Sequence, residues 1–109
     1  MAEKRGLTPP PAPGATALVP GTFDGVAVFV TGGGTGLGKA IAAEFARLGA
    51  SLVVASRKPE HLEAAAEAIS ALGAPVTTVA CDIRDPEAIA AAFDAAEEAY
   101  GLPGVLINN

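Results

Sequence analysis

Four short apolar runs alternate with three helical patterns over residues 23–109. The runs are VAVFV (26–30), SLVVA (51–55), PVTTVA (75–80) and GVLIN (104–108). They are rich in β-branched residues, as are strands that a sheet buries on both faces. This β-α-β-α-β-α-β order with short connections predicts an α/β fold built on a parallel sheet, with four strands and three helices.

The three helical patterns have recognisable ends and apolar spacing. Gly49 is expected to end the first helix and Gly73 the second, while Pro59 and Pro86 open the second and third. Asp85 precedes Pro86 and is the predicted N-cap. The predicted apolar faces are Leu37, Ile41, Phe45 and Leu48 in the first helix, Leu62, Ala65, Ile69 and Leu72 in the second, and Ile89, Phe93, Ala96 and Tyr100 in the third.

Both ends of the chain differ from this pattern. Residues 1–22 include five prolines between Pro9 and Pro20, which predicts a disordered or extended leader, or alternatively an arm that packs on a partner. The strand GVLIN would be an exposed apolar edge, which natural domains avoid. We therefore expect a truncated chain, a fragment whose remaining strands and helices follow Asn109.

Composition excludes several functional classes. The 109 residues carry a net charge of −5, which argues against binding to nucleic acid or anionic membranes. No apolar run is long enough to span a membrane, and Lys4 and Arg5 precede no signal-peptide core. The one cysteine, Cys81, suits a reducing compartment, so we expect a cytoplasmic protein.

The basic residues point to a ligand site at one edge of the sheet. Lys39, Arg57, Lys58 and Arg84 each follow a predicted strand. An open parallel sheet binds its ligand outside the carboxyl ends of its strands. The same edge would hold the glycine-rich segment TGGGTGLGKA (31–40), the segment CDIR (81–84) and the Asn108–Asn109 pair.

The glycine-rich segment fits one phosphate-binding spacing and fails two others. A triphosphate loop needs G-x-x-x-x-G-K-[ST], but Ala40 stands at the hydroxyl position. The spacing G-x-G-x-x-G fails from every starting glycine. The longer T-G-x-x-x-G-x-G fits at Thr31, Gly32, Gly36 and Gly38, with a flexible turn as the structural alternative. Gly32 would free the turn, Gly36 would admit a pyrophosphate and Gly38 would let the helix pack closely.

Three motifs in register resemble the short-chain dehydrogenase/reductase family: TGGGTGLG after the first strand, CDIRD after the third and NN after the fourth. The segments TGGGTGLGKAIA, ASRKPEHLEAAAE and CDIRDPEAI are most similar to the 2,4-dienoyl-CoA reductase branch. The resemblance implies a Rossmann-type doubly wound parallel sheet, with residues 23–109 as the N-terminal half of a dinucleotide-binding domain. It also implies an oxidoreductase that is homo-oligomeric when full length and reduces an enoyl- or dienoyl-CoA thioester in fatty acid degradation. A sugar, steroid or 3-hydroxyacyl substrate and a non-catalytic nucleotide-binding module are the alternatives.

The end of the second strand indicates which nicotinamide cofactor is bound. An acid there would accept both ribose hydroxyls and repel a 2′-phosphate. This chain instead has Ser56, Arg57 and Lys58, which favours NADP(H), because a guanidinium pairs well with phosphate. The alternative is that Arg57 and Lys58 only solvate a turn.

The resemblance assigns further cofactor contacts. It implies that Thr35 and Leu37 belong to the pyrophosphate site and that Asp82 accepts from the adenine amino group. The backbone N–H of Ile83 and the backbone of Asn108 would contact adenine and ribose, while Asn109 would join neighbouring strands.

No catalytic residue is predicted within the chain. Tyr100 is not followed by a lysine four residues later, so it does not match the family's Y-x-x-x-K pair, whose members would follow the fourth strand. His61 lacks partners at ligand spacing and is predicted to lie on the surface, and no metal site is expected.

Overall fold

The computed structural model describes residues 17–109 together with Gly6, Pro9 and Ala12. The prediction of a disordered leader over residues 1–22 lies for the most part outside the described residues. The elements are β1 (Ala27–Thr31), α1 (Gly36–Arg47), β2 (Ser51–Ser56), α2 (Pro59–Ala71), β3 (Val76–Ala80), α3 (Pro86–Tyr100) and β4 (Val105–Ile107).

The four strands form one parallel sheet in the order β3-β2-β1-β4. The chain adds β2 and β3 on one side of β1 and then returns to place β4 on the other side, where Phe29 pairs with Leu106. This reversal confirms the predicted Rossmann-type doubly wound α/β fold. Ligands bind such sheets at the point where the strand order reverses, beyond the carboxyl ends of β1 and β4.

Alternate residues of the central strands face two separate cores. Val28, Val30, Leu52 and Val54 pack beneath α1 and α2, and all four are fully buried. On the opposite face, Phe29 stacks on Phe93 of α3 with ring centroids 4.5 Å apart. Because successive side chains of a strand point to opposite faces, helices on both sides require strands that are apolar throughout.

The buried face of α1 differs in part from the predicted one. Phe45 packs on the core and Leu48 is buried, as predicted. The buried residues within α1 are Gly38, Ala42 and Ala46, however, whereas Leu37 is 70% exposed. These small residues let the helix approach the sheet more closely than a stripe of large side chains would allow. Leu72, predicted to be buried, is also partly exposed because α2 ends before it.

The N-cap of α3 is the predicted one, because an Asp85 carboxylate oxygen accepts the backbone N–H of Glu87 at 3.0 Å. We expect Asp85→Ala to lower the free energy of unfolding by about 1 kcal/mol, the usual cost of losing a cap. Asp85→Ser should retain most of that stability, and Asp94→Ala, on the exposed side of α3, should change little. Denaturant unfolding of the three variants measures the difference. Equal losses in Asp85→Ala and Asp85→Ser would contradict the capping role.

Candidate functional site

The glycine turn, residues 32–35, joins β1 to α1 at the reversal point of the sheet. Gly32 and Gly36 have φ angles of +63° and +54°, a backbone conformation that side chains disfavour. Apart from the adjoining residues of its own helix and turn, no described atom lies within 4 Å of the position that a Cβ of Gly36 would take. The backbone is therefore open at this point, as a site for a pyrophosphate requires.

Gly38 and Gly34 are needed for a different reason, which is close packing. A Cβ on Gly38 would lie 2.2 Å from the carbonyl oxygen of Gly32 and 2.6 Å from the side-chain nitrogen of Asn109. A Cβ on Gly34 would lie 2.5 Å from the Cβ of His61. His61 is accordingly half-buried rather than on the surface, because the first turn of α2 packs on the glycine turn.

The N-terminus of α1 suits an anion. Thr35 occupies the N-cap in an extended conformation, yet its side chain makes no capping hydrogen bond to the described residues. The first turn carries no acid. The first N–H groups of a helix lack intrahelical acceptors, and the helix dipole adds partial positive charge there. The backbone N–H groups that follow Thr35, Leu37 included, are thus available to phosphate oxygens.

Asn109 connects the end of β4 to the glycine turn. Its backbone N–H donates to the Thr31 hydroxyl at 3.0 Å, and its side-chain amide donates to the Gly32 carbonyl at 3.2 Å. The Thr31 hydroxyl also lies 3.4 Å from the carbonyl of Ile107. This agrees with the expectation that Asn109 joins neighbouring strands, and it fixes the position of Gly32.

Several predicted site residues meet in a cavity of about 140 Å³ beside the glycine turn. It is lined by Gly32, Ala55, Ser56, Arg57, Cys81, Ile83 and Asn109. An adjoining cavity of about 260 Å³ lies among Arg57, Asp82, Ile83 and Arg84. The end of β2 thus presents a hydroxyl and a guanidinium to these cavities, with no acid at the end of β2. Lys58 is the exposed N-cap of α2, and its backbone N–H lies 3.4 Å from the Ser56 hydroxyl.

Asp82 is ionised and paired. Hydrogen bonds from the side chain and then the backbone of Arg84 hold the pKa of the Asp82 carboxyl far below its usual range, with Arg57 adding to the effect. The carboxylate is therefore an acceptor at every pH where the protein is expected to work.

Cys81 and Ala55 line the cavity beside the glycine turn but were not predicted to contact the cofactor. Ala55 lies within β2 and Cys81 directly follows β3, and both are buried like ordinary core residues. Burial raises the pKa of the Cys81 thiol, and the neighbouring Asp82 and Asp85 carboxylates raise it further. Cys81 is thus a neutral thiol that packs as a small apolar group. The contact of Arg84 with Asp82 could have been suspected from their Asp-x-Arg spacing.

Asn108 does not line either of the smaller cavities. It lines a third cavity, of about 310 Å³, on the α3 side of the sheet, with Phe29, Phe93 and Leu106 among its neighbours. Cys81 and Ile83 line both this cavity and the one beside the glycine turn. The predicted contact of Asn108 with ribose stays a prediction.

Within the part of the chain that the structure describes, no helix is long and apolar enough to cross a membrane. Among the same residues, no three His, Cys, Asp or Glu side chains are grouped as metal ligands would be.

Sequence comparison connects this geometry with known proteins. An uncharacterized oxidoreductase of Caenorhabditis elegans is 48% identical over 97 residues, which are 87% of this chain and 31% of that protein. A probable 2,4-dienoyl-CoA reductase of the same organism is 45% identical over 91 residues, which are 82% of this chain and 29% of the relative. The chain therefore spans about a third of the length of the curated relatives it matches.

Solved structures agree with the sequence relatives. A citronellol catabolism dehydrogenase from Pseudomonas aeruginosa superposes with a TM-score of 0.82 and 41% identity, covering 86% of this chain and 39% of the other. A metagenomic short-chain oxidoreductase in complex with NADP superposes at 0.75 with 38% identity, covering 80% of this chain and 39% of the other. The sequence model of the short chain dehydrogenases matches residues 26–109. The chain belongs to the short-chain dehydrogenase family of oxidoreductases, whose members bind a nicotinamide dinucleotide.

Proposed function

We propose that the whole protein is an NADP(H)-dependent reductase and that residues 23–109 hold the adenosine and pyrophosphate part of the cofactor. One observation carries this proposal. The open backbone at Gly36 and the uncapped start of α1 lie beside a cavity whose β2 wall presents Ser56 and Arg57 but no acid. The bound nicotinamide supplies the hydride, and this chain's own residues position the other end of the cofactor.

The pyrophosphate would rest on the backbone of the glycine turn and the first turn of α1. Gly32 and Gly36 permit the turn, and the Thr35 hydroxyl, free of a capping role among the described residues, can donate to a phosphate oxygen. A side chain at position 38 would collide with the Gly32 carbonyl, so glycine there preserves the shape of the turn.

The 2′-phosphate would bind at the end of β2. Arg57 lines both of the smaller cavities and can pair with phosphate through two N–H groups, while Lys58 adds a nearby point charge. A relative of known structure was solved with NADP, which supports the same choice for this chain.

The adenine would lie between Arg57 and Ile83, with its amino group donating to Asp82 and its ring accepting from the Ile83 backbone. The arrangement of Arg57, Asp82 and Ile83 around one cavity supports this placement. The backbone of Asn108 would contact the ribose.

Titration of the whole protein with NADPH and NADH tests the cofactor proposal. We expect NADPH to bind at least about tenfold more tightly, since one charged hydrogen bond contributes about 1.5–3 kcal/mol. Equal affinities, or tighter binding of NADH, would refute the proposal.

For the substrate, we propose a 2,4-dienoyl-CoA thioester, since relatives at 45% and 44% identity are named as probable 2,4-dienoyl-CoA reductases. The overall reaction would add one hydride and one proton to the conjugated thioester, leaving an enoyl-CoA and NADP⁺. Consumption of NADPH in the presence of a dienoyl-CoA, with a saturated acyl-CoA and a steroid ketone as controls, measures it. Turnover of the steroid ketone without turnover of the dienoyl-CoA would assign the protein to another branch. The cytoplasmic location and homo-oligomeric state of the whole protein stay predictions.

A further inference from the structure

Three nitrogen atoms of Arg84 donate hydrogen bonds to the carboxylate of Asp82. Its backbone N–H donates to Oδ1 at 2.9 Å, and its Nε donates to the same oxygen at 3.0 Å. Nη2 donates to Oδ2 at 2.8 Å, while Nε lies 3.2 Å from Oδ2 as a second, longer contact. The side-chain fork and the backbone together fix both the position and the plane of the carboxylate.

Stabilisation of the fold does not account for this ion pair. The side chain of Arg84 is 74% exposed and that of Asp82 is 34% exposed, so solvent screens their attraction even though the fork geometry is favourable. The Arg84 side chain belongs to neither hydrophobic core, so holding it in one conformation adds no core packing. Its visible effect is on the carboxylate, which shares a cavity with Arg57 and Ile83.

The arrangement leaves Asp82 able to accept one more hydrogen bond. A carboxylate has about four acceptor positions. Oδ1 receives two short bonds from Arg84, whereas Oδ2 receives one short bond and one longer contact. Oδ2 is therefore the oxygen that retains an acceptor position for a ligand. Two of the three guanidinium nitrogens of Arg84 are already occupied, so Arg84 itself is poorly placed to pair with a phosphate.

We propose that Arg84 is a positioning residue that makes the cofactor site selective for a base carrying an exocyclic amino group. By fixing the Asp82 carboxylate, Arg84 directs the remaining acceptor position of Oδ2 toward that amino group. This inference rests on the proposed binding of the dinucleotide beside Asp82, and it goes further by assigning base selectivity to a residue that does not itself contact the base.

The experiment compares the affinities of the whole protein for NADP⁺ and for its purine analogue, in which a hydrogen atom replaces the amino group and the ring nitrogens keep their acceptor character. The two dinucleotides carry the same charge, so the loss of a positive charge in a variant cancels in their affinity ratio. We expect the wild-type protein to prefer NADP⁺ by a factor of about ten or more, as a hydrogen bond to a charged group would give.

Arg84→Gln should lower this ratio severalfold, and Arg84→Lys should lower it as well, because an ammonium group keeps the charge but cannot provide the planar fork. Arg47→Gln is the matched control. Arg47 is another exposed arginine, paired with Glu44 near the C-terminus of α1, and its replacement should leave the ratio unchanged. Thermal unfolding of each variant verifies that it is folded.

Asp82→Ala separates the two proposals. One outcome is that Asp82→Ala reduces the affinity ratio to about one while Arg84→Gln and Arg84→Lys keep the wild-type ratio. In that case Asp82 recognises the base without help from Arg84, and the proposed role of Arg84 is overturned. A ratio that rises in Arg84→Gln would also overturn it, since Arg84 would then compete with the base. If Asp82→Ala retains the wild-type ratio, or neither dinucleotide binds, the proposed cofactor site itself fails.

Discussion

Replacement of Gly38 by alanine is expected to destabilise the protein and to abolish most of its cofactor binding. A helical glycine normally gains about 1 kcal/mol of stability on conversion to alanine. Here the added Cβ would lie 2.2 Å from the Gly32 carbonyl oxygen, a backbone atom that cannot rotate away. Overpacking of this kind costs about 3 kcal/mol at the upper end of its usual range, so the clash outweighs the propensity.

The same substitution should weaken dinucleotide binding by about a hundredfold, because the displaced turn would misdirect N–H groups whose hydrogen bonds to a charged phosphate contribute about 3 kcal/mol. Denaturant unfolding and cofactor titration measure the two effects. Ala40→Leu is the control, since Ala40 lies two residues further along the same helix on its exposed side. A Gly38→Ala protein as stable as the wild type would show that the close contact between α1 and the glycine turn is absent.

Replacement of Ser56 by aspartate is expected to reverse the cofactor preference. Ser56 is the last residue of β2 and lines the cavity beside Arg57. A carboxylate there would face the 2′-phosphate of NADPH, and like charges so close cost several kcal/mol, which weakens NADPH binding about a hundredfold or more. The same carboxylate would accept the ribose hydroxyls of NADH, whose affinity should rise.

Ser56→Asn is the matched control, because asparagine has the shape of aspartate without its charge. It should weaken NADPH binding only slightly. If Ser56→Asn and Ser56→Asp weaken NADPH binding equally, the size of the side chain rather than its charge is responsible, and the 2′-phosphate does not bind at this position.

The sequence could predict the sheet because its signals are local. Short apolar runs identify the strands, and Pro59 and the Asp85–Pro86 pair identify the starts of the helices that follow. Neither signal requires knowledge of the fold. The face of α1 could not be predicted in the same way. Leu37, Ile41 and Phe45 have the same four-residue spacing as Gly38, Ala42 and Ala46, so periodicity alone does not choose between the two faces. The close approach of helix to sheet buries the small residues, while Phe45 is only partly buried against the same core.

The candidate site was predictable where backbone conformation dictates the residue type. Gly32 and Gly36 could be assigned from spacing, because few residues other than glycine adopt their conformation. The contact of Gly38 with Asn109 and the place of Cys81 between two cavities depend on strand order, which brings together residues distant in the chain. The ion pair between Arg84 and Asp82 joins residues that are close in sequence. Its proposed role in the site, however, depends on the cavity that these residues form with Arg57.

The hydrogen bonds between Asn109 and the end of β1 also have a consequence for the order of folding. They join residues 77 and 78 positions apart, so they close the longest loops among the side-chain hydrogen bonds described. Contacts of such large separation carry the highest chain-entropy cost and form late. We therefore expect the phosphate-binding turn to acquire its final shape only after β2, β3 and α3 are in place. A dinucleotide that needs this shape binds only chains that have already folded. Its binding energy is then expected to stabilise the hydrogen bonds of Asn109 to the end of β1 against local opening.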